Sequence, residues 1–157
     1  MVAADPSARR VNGQMLVALK DEQNPALARY KARLVAIGCL IRPATGARIV
    51  ESLTSTAPVS LTGVRVGIFF ELVAHDGVIL ALDVPGAYLL AALSGPATWL
   101  HLGPELAPPS WKGLKQPVVL VERALYGLPR SGEDWSGLAR RTLLSHGFEY
   151  VADIGEE

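Results

Sequence analysis

The run GVILALDVPGAYLLAAL, residues 77–93, contains one carboxylate, Asp83, among otherwise uncharged apolar and small residues. An ionised side chain buried in such company costs several kcal/mol, roughly, unless it is paired, neutralised or bound to a metal. VILALDV (78–84) has the length and composition of a buried strand that stops at Pro85-Gly86. A chain built around such a strand must also provide whatever relieves Asp83. Two readings stay open on local grounds. Asp83 either starts the turn, with its side chain on nearby backbone amides, or ligates a hard divalent cation such as Mg²⁺.

Hydrophobic residues make up 50% of the 157 residues, and the mean hydropathy is +0.27. That suits one domain with a real core and excludes disorder over most of the length. The net charge is zero, so nothing draws the whole chain to nucleic acid or membrane. Its distribution is uneven. Residues 1–50 carry eight Lys/Arg against three Asp/Glu, and residues 51–157 carry seven against twelve. A basic lobe is joined to an acidic one.

Cys39 is the single cysteine, so no internal disulfide or cysteine metal cluster is available. The start MVAADPSARR lacks the apolar region of a secretory signal. Residues 84–104 hold no charge but are punctuated by Pro85, Gly86, Gly95, Pro96, His101 and Gly103, which no membrane helix would tolerate together. An intracellular protein, cytoplasmic or nuclear and without a membrane partner, is expected.

Residues 1–13 read as a frayed polar tail and 153–157 as a C-terminal tail, with one domain over 14–152. QMLVALK (14–20), the turn DEQNPAL and ARYKARLVAIG (28–38) predict a β-hairpin. Residues 39–58 predict an irregular connection. Ser60 caps a predicted helix over 61–75, with Leu61, Val64, Ile68 and Leu72 at helical spacing and Gly77 as its stop. ATWLHL (97–102) and PVVLVER (117–123) predict further strands. Ser131 begins a last helix, with Glu133 and Asp134 in its first turn. Trp135, Leu138, Ala139, Thr142 and Leu143 would form its inner face, and Gly147 its end. The expected class is α+β, an antiparallel sheet with helices packed on one face.

Four patterns could carry chemistry, each with a plainer alternative. Lys31 and Arg33 in KARLVAIG share one face of a strand, either a solvated hairpin face or a two-pronged clamp for a polyphosphate. Asp83 is followed by Tyr88. ALYGLPRSGEDW (124–135) is a tight turn into a capped helix. LLSHGFEYV (143–151) is a helix stop, where His146 reads as a capping residue rather than a ligand.

In order and spacing these blocks resemble the reverse transcriptase domain of Ty1/copia-type retrotransposon polyproteins, over roughly residues 16–152. KARLVAIG is similar to the family's KARLVAKG, and APVSLTGVR to its SPV-x-x-x-x-x-R helix start. LDVPGAYLLAAL is similar to MDVKTAFLNGDL, TWLHLGPEL to IYMEQPEGF, ALYGLPRSGEDW to SLYGLKQSPRQW, and LLSHGFEYV to LLSLGFKRS.

The resemblance implies a fingers and partial palm fragment of an RNA-directed DNA polymerase. Its ancestral reaction is template-directed transfer of dNTPs by a two-metal mechanism with Mg²⁺ or Mn²⁺. It implies Asp83 as catalytic carboxylate and metal ligand, with the Val84 carbonyl as a second ligand. It implies Lys31 and Arg33 as triphosphate-gripping residues and Tyr88 as the ring that rejects a 2′-hydroxyl. Arg130 occupies the nucleotide-pocket position where the family has Gln. RNA or DNA template–primer and dNTP are the implied partners, and no residue is assigned to template binding.

The chain departs from the family at Arg130, at Pro129, where Lys is usual, and at Gly86 and Ala91–Ala92. The second carboxylate motif, Tyr-x-Asp-Asp, is absent, and Asp153, Glu156 and Glu157 lack its spacing. A chain with one of three metal carboxylates is expected not to polymerise DNA alone. The other expectations are a domesticated remnant with weak nucleic-acid binding, or a pseudogene product without present function. An incomplete palm sheet would also leave an apolar edge open to self-association.

Overall fold

The computed structural model describes residues 7–43, 59–74 and 78–149. The expectations for residues 1–6, the connection over 44–58, the Gly77 stop and the tail from 150 onward lie outside the described residues.

Two long strands dominate. Strand β1 (Arg9–Lys20) turns back into β2 (Arg29–Ala36) with unbroken antiparallel register from Gly13↔Ala36 to Lys20↔Arg29. The turn between them is locally encoded. Asp21 adopts φ 56°, a left-handed conformation that Asp tolerates better than most residues. The Asn24 side chain then accepts the Ala26 N–H at 3.2 Å. Strand β1 begins at Arg9, so the frayed tail expected to reach residue 13 is corrected. Apolar Val11 and polar Asn12 alternate there and let the segment cover a core.

A 3₁₀ turn over Gly38–Leu40 leads to the two-residue strand β3 (Arg42–Pro43), which pairs antiparallel with the start of β1. Strand β4 (Thr98–His101) lies on the other edge of β1 and runs parallel to it. Strand β5 (Val118–Leu120) returns antiparallel beside β4. The sheet is therefore mixed, which corrects the antiparallel expectation. A parallel neighbour needs a crossover of a dozen or more residues, roughly, and the chain between β3 and β4 is long enough to supply one.

Helix α1 (Leu61–Ala74) forms where expected, and its first turn is capped as the sequence predicts. Ser60 Oγ accepts the Gly63 N–H at 3.0 Å. It does not pack as expected: Val64, Phe69, Phe70, Leu72 and Val73 are all exposed. The apolar residues encircle this helix instead of marking one stripe, so no single face is specified for burial. Residues 78–84 are also corrected. They form no strand, and Val78, Leu80 and Leu82 are exposed at 93%, 69% and 72%.

Helix α2 (Ala87–Leu90) is a single turn after Gly86, whose φ of 65° suits glycine. Helix α3 (Ser131–Ser145) packs against α2. Its C-terminus closes as a Schellman motif: Gly147 N–H bonds the Leu144 carbonyl and Phe148 N–H that of Leu143, with Gly147 at φ 86°. His146 Nδ1 lies 2.8 Å from the Thr142 carbonyl oxygen, in line with a capping role. Trp135, Leu138 and Ala139 are half-buried, whereas Thr142 and Leu143, also expected inside, are exposed.

The N-terminal cap of α3 is corrected as well. Arg130 is the N-cap, and Ser131 is fully buried with its Oγ donating to the Leu125 carbonyl at 2.7 Å. A buried hydroxyl must find an acceptor, and the Leu125 carbonyl supplies it.

The core joins Val11, Ala36, Ile41, Leu100, Leu125 and Leu128, with Leu34, Leu93 and Val119 around them. Each fully buried aliphatic there contributes about 1.5–3 kcal/mol. The 124–130 block is thus welded to the sheet, with Ala36 N–H bonding the Tyr126 carbonyl at 2.7 Å. No helix among the described residues is long and apolar enough to cross a membrane.

Candidate nucleotide site at the base of the hairpin

Strand periodicity places Lys31 and Arg33 on the same face of β2. Lys31 is held below its ordinary pKa of 10.5, first by the Arg33 charge and then by that of Lys20. Lys31 and Arg33 are therefore a crowded pair of cations. The 124–130 loop carries Tyr126 to the end of β2, and the Arg33 guanidinium carbon stands 5.7 Å from the Tyr126 ring centroid. That is within cation–π range.

Tyr126 in turn meets Tyr88. Their ring centroids are 4.7 Å apart with planes inclined at 31°, a tilted pair of the kind aromatic quadrupoles favour. Backbone bonds hold the two tyrosine segments together. Leu93 N–H bonds the Glu122 carbonyl at 3.0 Å and Ala124 N–H that of Ala91 at 2.9 Å, around the Ala92↔Arg123 bridge. Arg123 Nη1 adds a bond to the Leu90 carbonyl at 3.1 Å. Arg33 and Tyr88, remote in sequence, both meet Tyr126.

Arg130 takes no part in that group. Its Nε donates to Ser94 Oγ at 3.1 Å, and its Nη2 lies 3.6 Å from Glu133 Oε2. Asp134 Oδ2 accepts the Ser94 N–H at 3.1 Å. Arg130 thus ties the loop at residue 94 to the start of α3.

Asp83 is exposed, so the burial cost that made it notable does not arise. No hydrogen bond, ion pair or ring contact joins it to Tyr88, Lys31 or Arg33. The Val84 carbonyl accepts the Ala87 N–H at 3.2 Å in the Pro85-Gly86 turn. Among the described residues no three His, Cys, Asp or Glu side chains gather into a metal-binding group. A hard cation takes about six oxygen ligands. One exposed carboxylate and one engaged carbonyl do not fit a two-metal centre.

Tyr126 is the residue that sequence reasoning passed over. It stands in the quoted ALYGLPRSGEDW block, but nothing local tells an aromatic that stacks across the fold from one that fills a turn. In comparisons with known proteins, no family model, curated protein or solved structure matches this chain.

Proposed function

We propose that the chain is the fingers and partial palm of a copia-type RNA-directed DNA polymerase, and that alone it binds a deoxynucleoside triphosphate without extending a primer. One observation supports this reading: Arg33, which shares a strand face with Lys31, and Tyr88 both contact a single ring, Tyr126. Cations beside an aromatic floor suit a nucleotide, with charge for the phosphates and ring surface for the sugar or base. Metal binding at Asp83 would require further ligands outside the described residues, so no step is routed through it. Template–primer remains the proposed macromolecular partner.

The test is a dNTP titration of the full chain followed by intrinsic fluorescence, with wild type beside Lys31→Gln/Arg33→Gln. Saturable binding that weakens at least tenfold in the double variant is expected. Equal affinity in both proteins, or none in wild type, would remove the nucleotide reading.

A second reading rests on the exposed, solitary Asp83: a non-enzymatic remnant that retains nucleic-acid binding alone. Oligonucleotide binding without dNTP binding would select it. Absence of both would leave a product without present function.

A further inference from the structure

Between β4 and β5 the chain builds a lobe over residues 102–117. Its base is closed by the Leu102 N–H on the Pro117 carbonyl at 3.4 Å. Turns shape the rest: the Leu106 and Ala107 N–H groups bond the Gly103 carbonyl, the Trp111 N–H that of Pro108, and the Leu114 N–H that of Trp111. The lobe also holds Pro104, Pro108, Pro109 and Pro117, each with its φ fixed by the pyrrolidine ring. So constrained a segment has little freedom left to lose when it takes a ligand.

This lobe and the end of β4 bound a cavity of about 610 Å³, within the roughly 300–1,000 Å³ usual for a small-molecule site. The four prolines and the half-buried Trp111 give its walls flat ring surface. Its ionisable lining is Lys112, Lys115 and the half-buried His101, with no acid among them. Glu105, the one acid of the lobe, folds its carboxylate back against Gly103 and pairs with neither lysine. Among the described residues the two ammonium groups, the His101 ring and the Trp111 indole N–H all lack a hydrogen-bonding or ionic partner. An indole N–H out of water usually finds an acceptor, and the lobe supplies none.

The geometry points to this cavity as a binding site for a small aromatic carboxylate, its ring against Trp111 and the prolines and its charge held by Lys112 and Lys115. Flat walls suit a flat ligand, and mostly apolar walls with a few polar groups at fixed places are what small-molecule sites present. Lysine offers a compact point charge with three donors, which matches one carboxylate and needs no forked partner. A polyphosphate fits less well, because most of its charges would lie against proline and leucine without compensation. The site lies on a different segment from Lys31, Arg33, Tyr88 and Tyr126, and it does not depend on the nucleotide pocket proposed above.

The experiment titrates the full chain with 2-naphthoate and, in parallel, with the uncharged 2-naphthalenemethanol, by isothermal calorimetry. Wild type is compared with Lys112→Gln/Lys115→Gln, with Trp111→Leu and with Lys31→Gln/Arg33→Gln. Wild type should bind naphthoate saturably and about tenfold or more tightly than the alcohol. The Lys112/Lys115 variant should lose that preference while keeping the wild-type melting temperature, because both lysines are exposed. Trp111→Leu should weaken both compounds. Contact with the exposed apolar residues of α1 would neither favour the charged compound nor respond to the lysines. No saturable naphthoate binding, or equal affinity in wild type and the Lys112/Lys115 variant, overturns the site. Weakened naphthoate binding in Lys31→Gln/Arg33→Gln would place the ligand at the hairpin and also overturn it. Binding of an acidic peptide in the lobe without binding of naphthoate overturns the small-molecule assignment. Absence of dNTP binding in every protein, with the naphthoate preference intact, would remove the nucleotide pocket and leave this site standing.

Discussion

The rings of Tyr88 and Tyr126 meet at 4.7 Å between centroids, and the Arg33 guanidinium stands 5.7 Å from the second of them. Three chain segments, the α2 turn, the loop before α3 and strand β2, are locked to one another through a single phenol ring.

Replacing that ring should therefore be felt in stability and in binding. Tyr126→Ala removes an aromatic pair worth about 0.5–1.5 kcal/mol and a cation–π contact worth about 0.5–1 kcal/mol. Urea unfolding should show a loss of about 1–2 kcal/mol, and dNTP affinity should fall with it. Tyr126→Phe retains both contacts and should behave as wild type. Equal damage from the two substitutions would place the effect in the hydroxyl and count against the stack.

A close backbone crossing beside the stack gives a sharper test of geometry. Gly127 has φ 91°, and a Cβ there would run into the Ala36 carbonyl oxygen. Gly38 faces the same crossing from the other side, where its Cβ would meet the Gly127 carbonyl oxygen. Gly127→Ala should cost on the order of 3 kcal/mol, because a left-handed backbone and a backbone collision must both be relieved. A urea midpoint indistinguishable from wild type would mean that the crossing is not formed in solution.

Asp83 is exposed, so Asp83→Asn should change stability by no more than about 0.5 kcal/mol. Mg²⁺ or Mn²⁺ titration should leave the melting temperatures of wild type and variant alike. A metal-induced rise confined to wild type would show that ligands beyond the described residues complete a site around this carboxylate.

Lys31 makes stability depend on pH in a defined direction. The Arg33 and Lys20 charges lower its folded pKa below the ordinary 10.5, so between those two values the unfolded chain binds more protons. Stability should therefore rise with pH through that window. Below it, the penalty is present in full. Lys31→Gln should be the more stable protein at neutral pH and low salt, and the gap should close as pH passes 10.5 or as salt screens the repulsion. Thermal melts of both proteins across pH, at two ionic strengths, measure it. A gap that widens with pH would contradict the crowding.

Features carried by a few adjacent residues were legible in advance. The Ser60 cap, the Asp21–Asn24 turn and the Gly147 helix stop follow from side chains that bond their own backbone within a turn, with no help from the rest of the fold. The Lys31–Arg33 face was legible too, because strand alternation sets it. Ser131 was misread because its hydroxyl could serve either the helix or the Leu125 carbonyl, and only the packed loop made the second available.

The sequence by itself determined the hairpin, the two longer helices and the basic character of one strand face, since periodicity and capping act over a few residues. It also marked 78–84 and α1 as apolar, but apolarity states what a surface would gain by burial, not whether a partner surface is there to cover it. The tertiary structure alone decided that those segments stay exposed, that β4 runs parallel to β1, and that Tyr126 joins Arg33 to Tyr88. Each of those outcomes depends on which distant segments meet, and pairing across long loops is set by the summed packing of the whole chain rather than by local preference.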